Sequence, residues 1–503
     1  MKYIANKRQF FWSEDSFDKD FTTARLQLSD KPMRRERVME FNEPWEAENI
    51  TYINFFYDDD IKKYRMYYCA ISRRDENVVN LQEANYPLMN YCYAESEDGI
   101  QWVKPSLGIR AFNGSFDNNI VMDPSVGNVQ DNFFVYKDIN PDCPADERYK
   151  MIGFDERGEV TERKTGVKSN RVIVYWKSED GIHFVEEGIL PIEGFFDTHN
   201  TVYWDEETKQ YFMFFRDFHR GPNPLNNGQR TRIRDVMVST SKDFKTWSKP
   251  EALRTQANSG EIQMYTNGVI PYYRGTHMWV GFPTRYYEYG EWLPNFDYMP
   301  GKSQRLDKVN LIESRAGLAI TDCTFMCSEN KEQWYRFEEA YYTPGPENKH
   351  NWFYGCCYPA VGMYEVQNDF EETELSMLMP IRKWIPGEQI LKKKTELYRY
   401  SMRVDGFACV HADNKESVLQ TKLFCFEGEN LEMNFRTSAG GAILVSILDE
   451  NGQELEAFKD SVIFGDSLSR PVVFEGNLAE LQGKSVRLKM IMKDADIYSY
   501  RFY

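Results

Sequence analysis

The sequence predicts an all-β protein, a five-bladed β-propeller followed by a C-terminal β-sandwich. Three observations support this fold class: a recurring phrase, a lack of helical patterning, and a change of strand length after about residue 400. Repeats that each place a polar turn before an aromatic residue indicate copies of one supersecondary unit. The phrase occurs four times, as Ser96-Glu-Asp-Gly-Ile-Gln-Trp102, Ser178-Glu-Asp-Gly-Ile-His-Phe184, Ser241-Lys-Asp-Phe-Lys-Thr-Trp247 and Ser328-Glu-Asn-Lys-Glu-Gln-Trp334.

Each copy of the phrase closes a pattern of two hairpins, and four strands in that order form one propeller blade. The pattern is clearest in residues 200–248, where two apolar aromatic runs flank a polar turn. No run of a dozen residues keeps apolar side chains at i, i+3, i+4 and i+7, so helices are not expected to contribute. The pattern predicts four marked blades and a fifth, unmarked one, at residues 52–103, 133–185, 200–248, 265–337 and from 358 onward.

After about residue 400 the strands become shorter and the turns closer together, with Asp449-Glu-Asn-Gly452 as a hairpin signal. A segment of about a hundred residues with this spacing is typical of a β-sandwich. We therefore expect two domains. Residues 1–398 form the propeller, with the N-terminal segment packing on it, and residues 399–503 form an accessory β-sandwich.

Composition narrows the classes of partner. The chain has 503 residues and a net charge of −17, which argues against nucleic acid and anionic membranes and favours a neutral or cationic ligand. The N-terminus lacks the apolar run of a signal peptide and no window resembles a membrane span, so we expect a cytoplasmic protein. Its nine cysteines have no paired metal-ligand spacing, which suits free thiols in a reducing compartment. We expect no cofactor and no metal, and the sequence leaves the oligomeric state open.

The two rims of the predicted propeller differ in their connections. Turns assigned to one rim, including the repeated phrase, are short and polar. Long connections on one side of a rigid scaffold are the usual place for a binding site. The repeated phrase is therefore predicted to stabilise the blades, and the chemistry is predicted on the opposite rim, where the connections are residues 71–88, 155–170, 217–233 and 286–315.

Four acidic residues precede an innermost strand on the rim with the long connections. They are Glu46 before blade one, Asp131 before blade two, Asp197 before blade three and Glu261 before blade four. Converging carboxylates suit glycoside hydrolysis, in which one acid protonates the leaving oxygen and another attacks the anomeric carbon or activates water. A solvated loop carboxylate or a strand-end hydrogen-bonding group is the simpler structural interpretation of each acid.

Other side chains on the same rim are candidates for sugar binding. An arginine can bridge to a carboxylate or to hydroxyl groups, a histidine can donate to a hydroxyl, and aromatic rings can stack on a sugar face. Structural roles stay open for all of them, namely ion pairs for the arginines and core packing for the rings. The candidates for substrate binding are Trp45, Asp131, His199, Arg216, Asp217, Arg285, Trp352 and Tyr358.

Longer motifs extend over nearly the whole chain. They include Tyr93-Ala-Glu-Ser-Glu-Asp-Gly-Ile-Gln-Trp-Val-Lys-Pro-Ser-Leu-Gly108, Phe112-Asn-Gly-Ser-Phe-Asp-Asn-Asn-Ile-Val121, Phe196-Asp-Thr-His-Asn200, Tyr265-Thr-Asn-Gly-Val-Ile-Pro-Tyr272 and Lys493-Asp-Ala-Asp-Ile-Tyr-Ser-Tyr500. With these motifs the chain resembles a bacterial group of five-bladed propeller proteins that are similar to glycoside hydrolase family 32. The resemblance implies a deep central pocket with three acids.

The resemblance also implies a role for each acid: Glu261 as general acid, Glu46 as nucleophile or base, and Asp197 as the residue that stabilises the transition state. Three motifs of the wider superfamily do not occur at the matching places. Asn-Asp-Pro-Asn-Gly is absent before blade one, Arg-Asp-Pro before blade three, and Glu-Cys before blade four. Fructan specificity is therefore not carried over to this chain.

The predicted function is a glycoside hydrolase that acts on small oligosaccharides or glycosides, with furanosides among the candidates. A glycoside phosphorylase is the nearest alternative, because it would gather basic side chains around a phosphate, and the chain offers Arg73, Arg74, Arg216 and Arg285. A non-catalytic carbohydrate-binding propeller is an alternative of another class. A sialidase would need six blades and a convergent arginine triad. The expected partner in all four cases is a small carbohydrate.

Overall fold

A computed structural model of the chain describes residues 2–46, 49–72, 88–122, 132–156, 160–161, 168–169, 171–222, 230–256, 260–311, 317–384 and 393–503. Strands dominate these ranges, as the sequence predicts. One α-helix occurs in them, α1 at Lys302–Leu311, within the long connection at residues 286–315. Among the described residues, no helix has the length and apolarity needed to cross a membrane.

Four strands precede the first blade. The first three pair with strands near the C-terminus, and the fourth completes the last blade of the propeller. Their bounds are β1 Lys2–Ala5, β2 Gln9–Phe10, β3 Arg25–Leu28 and β4 Met33–Phe41.

Blades one to three are four-stranded antiparallel sheets, each built from strands that follow one another along the chain. Blade one contains β5 Asn49–Asp58, β6 Lys63–Ser72, β7 Leu88–Ser96 and β8 Ile120–Met122. Blade two contains β9 Phe134–Lys137 and β10 Tyr149–Asp155, then a ribbon of β11 Val160–Thr161 and β12 Lys168–Ser169, then β13 Val172–Ser178 and β14 Val185–Leu190. Blade three contains β15 Thr201–Asp205, β16 Gln210–Pro222, β17 Arg230–Ser241 and β18 Glu251–Ala252.

Blades four and five depart from this simple order. In blade four, β19 joins as an outer strand parallel to β25, and β22 and β23 form a separate ribbon. Its strands are β19 Arg254–Thr255, β20 Ile270–Pro271, β21 Trp279–Gly281, β22 Thr284–Glu288, β23 Ala319–Cys323, β24 Met326–Ser328 and β25 Gln333–Arg336. Blade five contains β26 Tyr364–Gln367, β27 Thr373–Trp384 and β28 Lys393–Arg403.

The ring of blades is closed by β4, which pairs antiparallel with β28 as the outermost strand of blade five. A strand from before blade one thus completes the sheet of the last blade, which ties the two ends of the ring together and covers a sheet edge. The five blades that the sequence predicts are confirmed, including the fifth, which lacks the repeated phrase.

The repeated phrase forms a tight turn that braces the end of each marked blade. In the first copy, Ser96 Oγ accepts a hydrogen bond from the Gly99 amide (2.9 Å), and Asp98 Oδ1 accepts two from the backbone amides two and three residues on (2.8 Å each). The Trp102 indole donates to the Gly99 carbonyl (2.8 Å). The corresponding Asp or Asn contacts recur in the other three copies. The phrase therefore has a structural role in each blade.

The C-terminal region contributes most strands of an eight-stranded sheet in which β32 and β35 pair along most of their length. Alternate residues of these strands, such as Leu431, Met433, Leu488 and Met490, are buried in a common core. Both β2 and β3 join this sheet, and β28 crosses the predicted boundary at residue 398. The expected division into two sandwiched sheets stays a prediction. Besides β2 and β3, the strands of the eight-stranded sheet are β29 Ala408–Ala412, β30 Ser417–Gln420, β32 Leu431–Leu448, β33 Ser461–Ile463, β34 Asp466–Val472 and β35 Arg487–Phe502, while β31 Phe424–Phe426 pairs with β1 in a separate two-stranded sheet.

One hairpin extends beyond the body of the propeller. In blade three, the innermost strand β15 pairs only with residues 210–214 of β16, whereas β17 pairs with residues 211–222. Past Phe214, the described residues offer no strand partner to the inner edge of β16. We call the space at the central axis on this rim the funnel. The upper part of the β16–β17 hairpin borders it.

Candidate active site

The two faces of the upper β16–β17 hairpin carry opposite charges. Side chains alternate between the faces of a strand, and directly opposed residues share a face. From the pairs Asp217–Asp235, Phe218–Arg234 and Arg220–Arg232 it follows that one face is basic and the other acidic. The basic face carries Arg216, Phe218, Arg220, Arg232 and Arg234, and the acidic face carries Asp217, His219 and Asp235.

On the acidic face, His219 links two carboxylates. Its Nδ1 lies 3.1 Å from Asp235 Oδ2, and its Nε2 lies 3.0 Å from Glu261 Oε1. The hydrogen bond to Asp235, opposed in part by burial, raises the pKa of His219 above its usual value, and Glu261 adds to the rise. The Glu261 side chain is 34% exposed, so this chain of three groups ends in a carboxyl that solvent and ligands can reach.

On the basic face, Arg216 holds Asp197. The Arg216 side chain is 2% exposed, and its Nη2 lies 2.8 Å from Asp197 Oδ2. Burial on its own lowers the pKa of Arg216, but Asp197 together with Tyr265 and Tyr52 outweighs it, and the pKa lies above its usual value. The Asp197 side chain is 39% exposed. A reachable carboxylate is thus fixed by a cation from the hairpin behind it.

The backbone is strained where blades one and three begin. Tyr52 has φ +47° in a bulge of β5, and Phe196, directly before Asp197, has φ +55°. Left-handed backbone is uncommon for large side chains and is often found at functional sites. The Phe195 and Phe196 amides both donate to the Arg216 carbonyl (3.1 and 3.2 Å), which holds this turn against β16. The strain at Phe196 therefore sets the position of Asp197.

Tyrosine side chains from blade four and from the segment before blade five form a wall beside Arg216. The Tyr265 ring stacks on those of Tyr286 and Tyr358, with centroids 5.6 Å apart in both cases. The hydroxyl groups of Tyr265 and Tyr354 lie 2.5 Å apart. Arg216 itself stacks over the Tyr265 ring at 4.7 Å. Tyr265 and Tyr286 are buried in this cluster. Tyr354 and Tyr358 are partly exposed and suit contact with a sugar face.

Below this wall, at the axis, is a cavity of about 20 Å³, large enough for a single water molecule. It is lined by residues of blades one, three, four and five, among them Tyr52, His199, Thr266, Tyr358 and Arg382. Burial lowers the pKa of His199 to about 3, so its ring is neutral. Its Nε2 and the Tyr358 hydroxyl are buried and find no hydrogen-bond partner among the described residues. Both sequence candidates, His199 and Tyr358, therefore lie at the centre of the ring.

Glu46 occupies a closed environment. Its side chain has no exposed surface, and its carboxylate accepts hydrogen bonds from Lys104 Nζ (2.7 Å), the Tyr68 hydroxyl (2.5 Å) and the Glu43 amide (3.0 Å). These contacts differ from those expected of a nucleophile, which must reach a substrate. Its catalytic role stays a prediction that the contacts do not favour.

The remaining sequence candidates lie in structural contacts or outside the described residues. Arg285 makes a two-pronged ion pair with Asp322 (2.6 Å for both bonds). The indoles of Trp45 and Trp352 donate to Asn119 Oδ1 and the Gly345 carbonyl, both at 2.8 Å. Asp217 accepts a bond from the Phe218 amide (2.8 Å) on the acidic face. Outside the described residues lie Asp131, Arg73 and Arg74.

The predicted acids Asp197 and Glu261 contact the same hairpin from opposite faces, through Arg216 and His219. These two anchors are three positions apart, about 10 Å along β16. No described strand pairs with the inner edge of β16 there, although the Phe195 and Phe196 amides bond to the Arg216 carbonyl. A ligand that reaches both carboxylates would have to lie across this edge.

Arg216 is among the candidates that the sequence offers as a bridge to a carboxylate, but His219 and Asp235 are not. The alternation Arg216-Asp-Phe-His-Arg220 and Arg232-Ile-Arg-Asp235 in predicted strands signals one basic and one acidic face and could have identified them.

One acidic group has the geometry of a metal site. Asp58, Asp59 and Asp60 lie close together in the first hairpin turn of blade one. Lys137 forms ion pairs with all three, at 2.6 Å to Asp58 and 2.9 Å to Asp60. The ammonium group thus takes the place that a cation would occupy.

A larger cavity, about 810 Å³, lies between the N-terminal segment, blade four and the C-terminal sheet. The charged side chains that line it are paired with one another, for example Lys2 with Glu329 (2.7 Å) and Lys331 with Glu207 (3.3 Å). Its lining includes the turn of the fourth repeated phrase, so it opens on the rim opposite the funnel. We assign this cavity to the junction of propeller and C-terminal sheet.

Comparisons with known proteins find relatives only at the level of structure, since no protein-family model and no curated sequence matches the chain. A solved structure named as a glycoside hydrolase aligns with 74% of this chain and with 92% of its own length, at 12% sequence identity and a TM-score of 0.41. The Bombyx mori GH32 β-fructofuranosidase BmSUC1 aligns with 93% of this chain and with 95% of its own length, at 10% sequence identity and a TM-score of 0.38. The β-1,2-mannobiose phosphorylase from Listeria innocua aligns with 75% of this chain and with 98% of its own length, at 9% sequence identity and a TM-score of 0.40. Similarities at this level concern the path of the chain and say nothing about the reaction.

Proposed function

We propose that the protein is a carbohydrate-active enzyme that cleaves glycosidic bonds in the funnel, with hydrolysis as the reaction. The observation that carries this proposal is the pair of reachable carboxylates on one hairpin, Asp197 held by Arg216 and Glu261 held by His219. Glycoside cleavage needs two such groups, one to give a proton and one to act on the anomeric carbon or on water. The motif resemblance to propeller glycosidases agrees with this reaction.

The acid is Glu261, assisted by His219. The raised pKa of His219 keeps a proton on the imidazole at higher pH than usual, 3.0 Å from Glu261 Oε1. The two groups can exchange that proton, and Glu261 delivers it to the oxygen of the leaving group. Asp235 fixes the ring from its other nitrogen, as in other carboxylate–histidine pairs.

The second group is Asp197. Arg216 fixes its Oδ2, and its exposed surface faces solvent at the start of β15. In this proposal Asp197 acts on the anomeric carbon or on the attacking water, the role that the resemblance implies for Glu46. The change follows from burial, because a carboxylate that is enclosed and bonded to Lys104 and Tyr68 is not available to a substrate.

The test is a panel of synthetic aryl glycosides, pyranosides and furanosides, assayed with and without inorganic phosphate. Asp197→Asn and Glu261→Gln are compared with wild type and with Glu97→Gln, a surface substitution in the first repeated phrase on the opposite rim. Removal of a general acid or base costs roughly 10²- to 10⁴-fold in rate, so we expect losses of that size in the first two variants. Glu97→Gln should match wild type.

Each outcome assigns or removes a role. A wild-type rate in Glu261→Gln would show that Glu261 is not the general acid. A wild-type rate in Asp197→Asn would show that Asp197 does not act on the anomeric carbon or on the attacking water. Turnover that requires phosphate would replace hydrolysis by phosphorolysis. If the wild-type protein cleaves no glycoside of the panel in either buffer, the proposed function fails.

A further inference from the structure

The basic face of the β16–β17 hairpin gathers more cations than it needs to hold Asp197. Arg171, at the start of β13 in blade two, joins the hairpin arginines there. Its guanidinium lies 3.8 Å from the centroid of the Phe195 ring, and that of Arg232 lies 4.8 Å from the same ring. Around Phe218 lie Arg232 (4.1 Å), Arg216 (5.8 Å) and Arg234 (5.9 Å). Two adjacent aromatic rings, 4.6 Å apart, are thus surrounded by four guanidinium groups.

Carboxylates in contact with this cluster are fewer. Among the described residues, Asp197 lies 2.8 Å from Arg216 and 3.9 Å from Arg171, and Glu156 lies 3.7 Å from Arg171. Arg234 Nη1 donates to the neutral amide of Gln263 (2.8 Å). Burial and the nearby cations of Arg216 and Arg232 lower the pKa of Arg171, although Asp197 and Glu156 oppose this. Like charges held together in a partly buried place are costly unless an anion offsets them.

The most buried member of the cluster has unused hydrogen-bonding capacity. Arg216 Nε and Nη1 are buried and find no acceptor within the described part of the chain, and the same is true of Arg234 Nε. Buried polar groups without a partner are rare in native proteins, and each calls for an explanation such as a bound ion or ligand. A guanidinium with two free donors is suited to an oxyanion, which can accept two parallel bonds.

We propose that Arg216 and Arg234, with Arg171 and Arg232 around them, form a binding site for an oxyanion, a phosphate or a carboxylate. The site adjoins Asp197 through Arg216 and the tyrosine wall through Tyr265. The ligand is a free phosphate that enters the funnel beside the sugar, or a carboxylate or phosphate carried by the sugar itself. The statement about the substrate rests on the proposed function, whereas anion binding does not.

This inference revises the expectation of a neutral or cationic ligand, which came from the net charge of −17. The overall charge governs long-range attraction, but a ligand in the funnel meets mainly the groups within a Debye length, about 8 Å at physiological salt. Close to the hairpin those groups are arginines. A buried anion site is also screened less by salt than surface charges are.

The experiment is titration calorimetry on the full-length protein at constant ionic strength. The probes are inorganic phosphate and the pair methyl glucuronide and methyl glucoside, which differ in one carboxylate. The variants are Arg216→Lys, Arg234→Gln and Arg232→Gln. Arg254→Gln is the matched control, because Arg254 is an exposed arginine of the outer strand β19, paired only with Glu251 among the contacts described. Circular dichroism establishes which variants are folded.

We expect wild type to bind at least one anionic probe more tightly than chloride or methyl glucoside. Loss of one charge-assisted bond should weaken that binding by about tenfold or more in Arg216→Lys and Arg234→Gln and less in Arg232→Gln. Arg254→Gln should bind as wild type does. Preference for phosphate identifies a free oxyanion, and preference for the glucuronide over the glucoside identifies a sugar-borne one.

The proposal is overturned if neither inorganic phosphate nor methyl glucuronide binds. It is also overturned if Arg234→Gln and Arg232→Gln both bind the anions with wild-type affinity, and this second test holds even if Arg216→Lys fails to fold. The same titrations on Glu261→Gln separate this site from the proposed reaction, because that variant keeps all four arginines. Anion binding without cleavage of any glycoside would refute the proposed function alone. Cleavage of neutral glycosides without anion binding would refute the anion site alone.

Discussion

The starts of blade one and blade three present an acid at the same position of the repeat, yet the two acids have opposite environments. Glu46 has no exposed surface, and Lys104, Tyr68 and a backbone amide use its carboxylate. Asp197 is 39% exposed and is held by the buried Arg216 at 2.8 Å, with Arg171 farther away at 3.9 Å. Position in the repeat therefore does not determine whether an acid is buried or within reach of a ligand.

The difference has a clear physical origin. A fully buried carboxylate is stable only when every lone pair finds a donor, and a group that has found them all has little left to offer a substrate. At blade three the buried member of the ion pair is the arginine and the exposed member is the acid, whereas at blade one the acid is the more buried of the two. The same kind of ion pair thus stabilises the fold at blade one and orients a reachable group at blade three.

The largest effect that tests this contrast is on catalysis at blade three. Asp197→Asn keeps the shape of the side chain but removes the charge, and we expect the rate of glycoside cleavage to fall about 10³-fold, as for other catalytic carboxylates. The measurement is kcat with the best substrate of the panel, together with a thermal unfolding curve. If folded Asp197→Asn cleaves glycosides within twofold of the wild-type rate, Asp197 is no more catalytic than Glu46 is expected to be.

At blade one the expected effect is on stability. Glu46→Gln leaves the Lys104 ammonium, 14% exposed, without its counter-ion, so the free energy of unfolding should fall by about 3 kcal/mol. Turnover per folded molecule should be unchanged. Urea unfolding measures the first quantity and active-site-normalised assays the second. A stable variant with strongly reduced turnover would place Glu46 in the chemistry after all.

A smaller effect is expected at the turns of the opposite rim, which are alike in all marked blades. Asp243 Oδ1 accepts two backbone bonds (2.8 and 2.7 Å), and these hold the pKa of Asp243 at about 2, below the usual 3.8. Asp243→Ala should cost about 1 kcal/mol, as removal of a capping side chain does. A depressed pKa stabilises the fold above pH 3.8 and loses this effect as the pH falls through 2. Unfolding curves of both proteins at neutral and acid pH test this; a cost that persists at the lowest pH would contradict it.

The smallest effect concerns the pH dependence of the acidic face. The pKa of His219 is raised above 6.5, so its contacts stabilise the fold fully below pH 6.5 and lose this effect as the pH rises through the folded-state value. The melting temperatures of wild type and His219→Gln should therefore differ most at low pH and converge at high pH. The difference should be small, because partly exposed ion pairs are screened by solvent.

Asp235→Asn serves as the companion variant for His219. It removes the charged hydrogen-bond partner that contributes most to the raised pKa of His219, and it should shift the convergence of the curves to lower pH. A gap between wild type and His219→Gln that grows with pH would contradict the assignment, because it would mean that folding lowers the pKa of the ring.

Much of the fold could be predicted because its signals are local. The turn phrase needs only Ser, Asp or Asn, and an aromatic residue within seven positions, and the hydrogen bonds that form its turn are short-range. The unmarked fifth blade was also predictable from its strand pattern. The closing strand β4 was not, because its pairing with β28 joins residues more than 350 positions apart and leaves no short-range signature.

The candidate site was predictable only in part for the same reason. Asp197 and Glu261 could be named from their place in the repeat. Lys104, which encloses Glu46, follows it by 58 positions, and the motif that contains Lys104 gives no sign of this contact. Arg285 was expected in the funnel, yet the Asp322 carboxylate of the neighbouring ribbon strand holds it. Partners of this kind depend on which strands become neighbours.

The amino-acid order alone determines how many blades form, which rim carries the turns, and that one face of β16–β17 is basic and the other acidic, because these properties follow from local hydrogen bonds and from the two-residue period of a strand. The folded ring decides which acids are buried and which are reachable. It also brings Arg171 of blade two beside Arg216 and Arg232 of blade three. Burial and charge pairing arise from neighbours far apart in the chain, and only the packed blades bring those neighbours together.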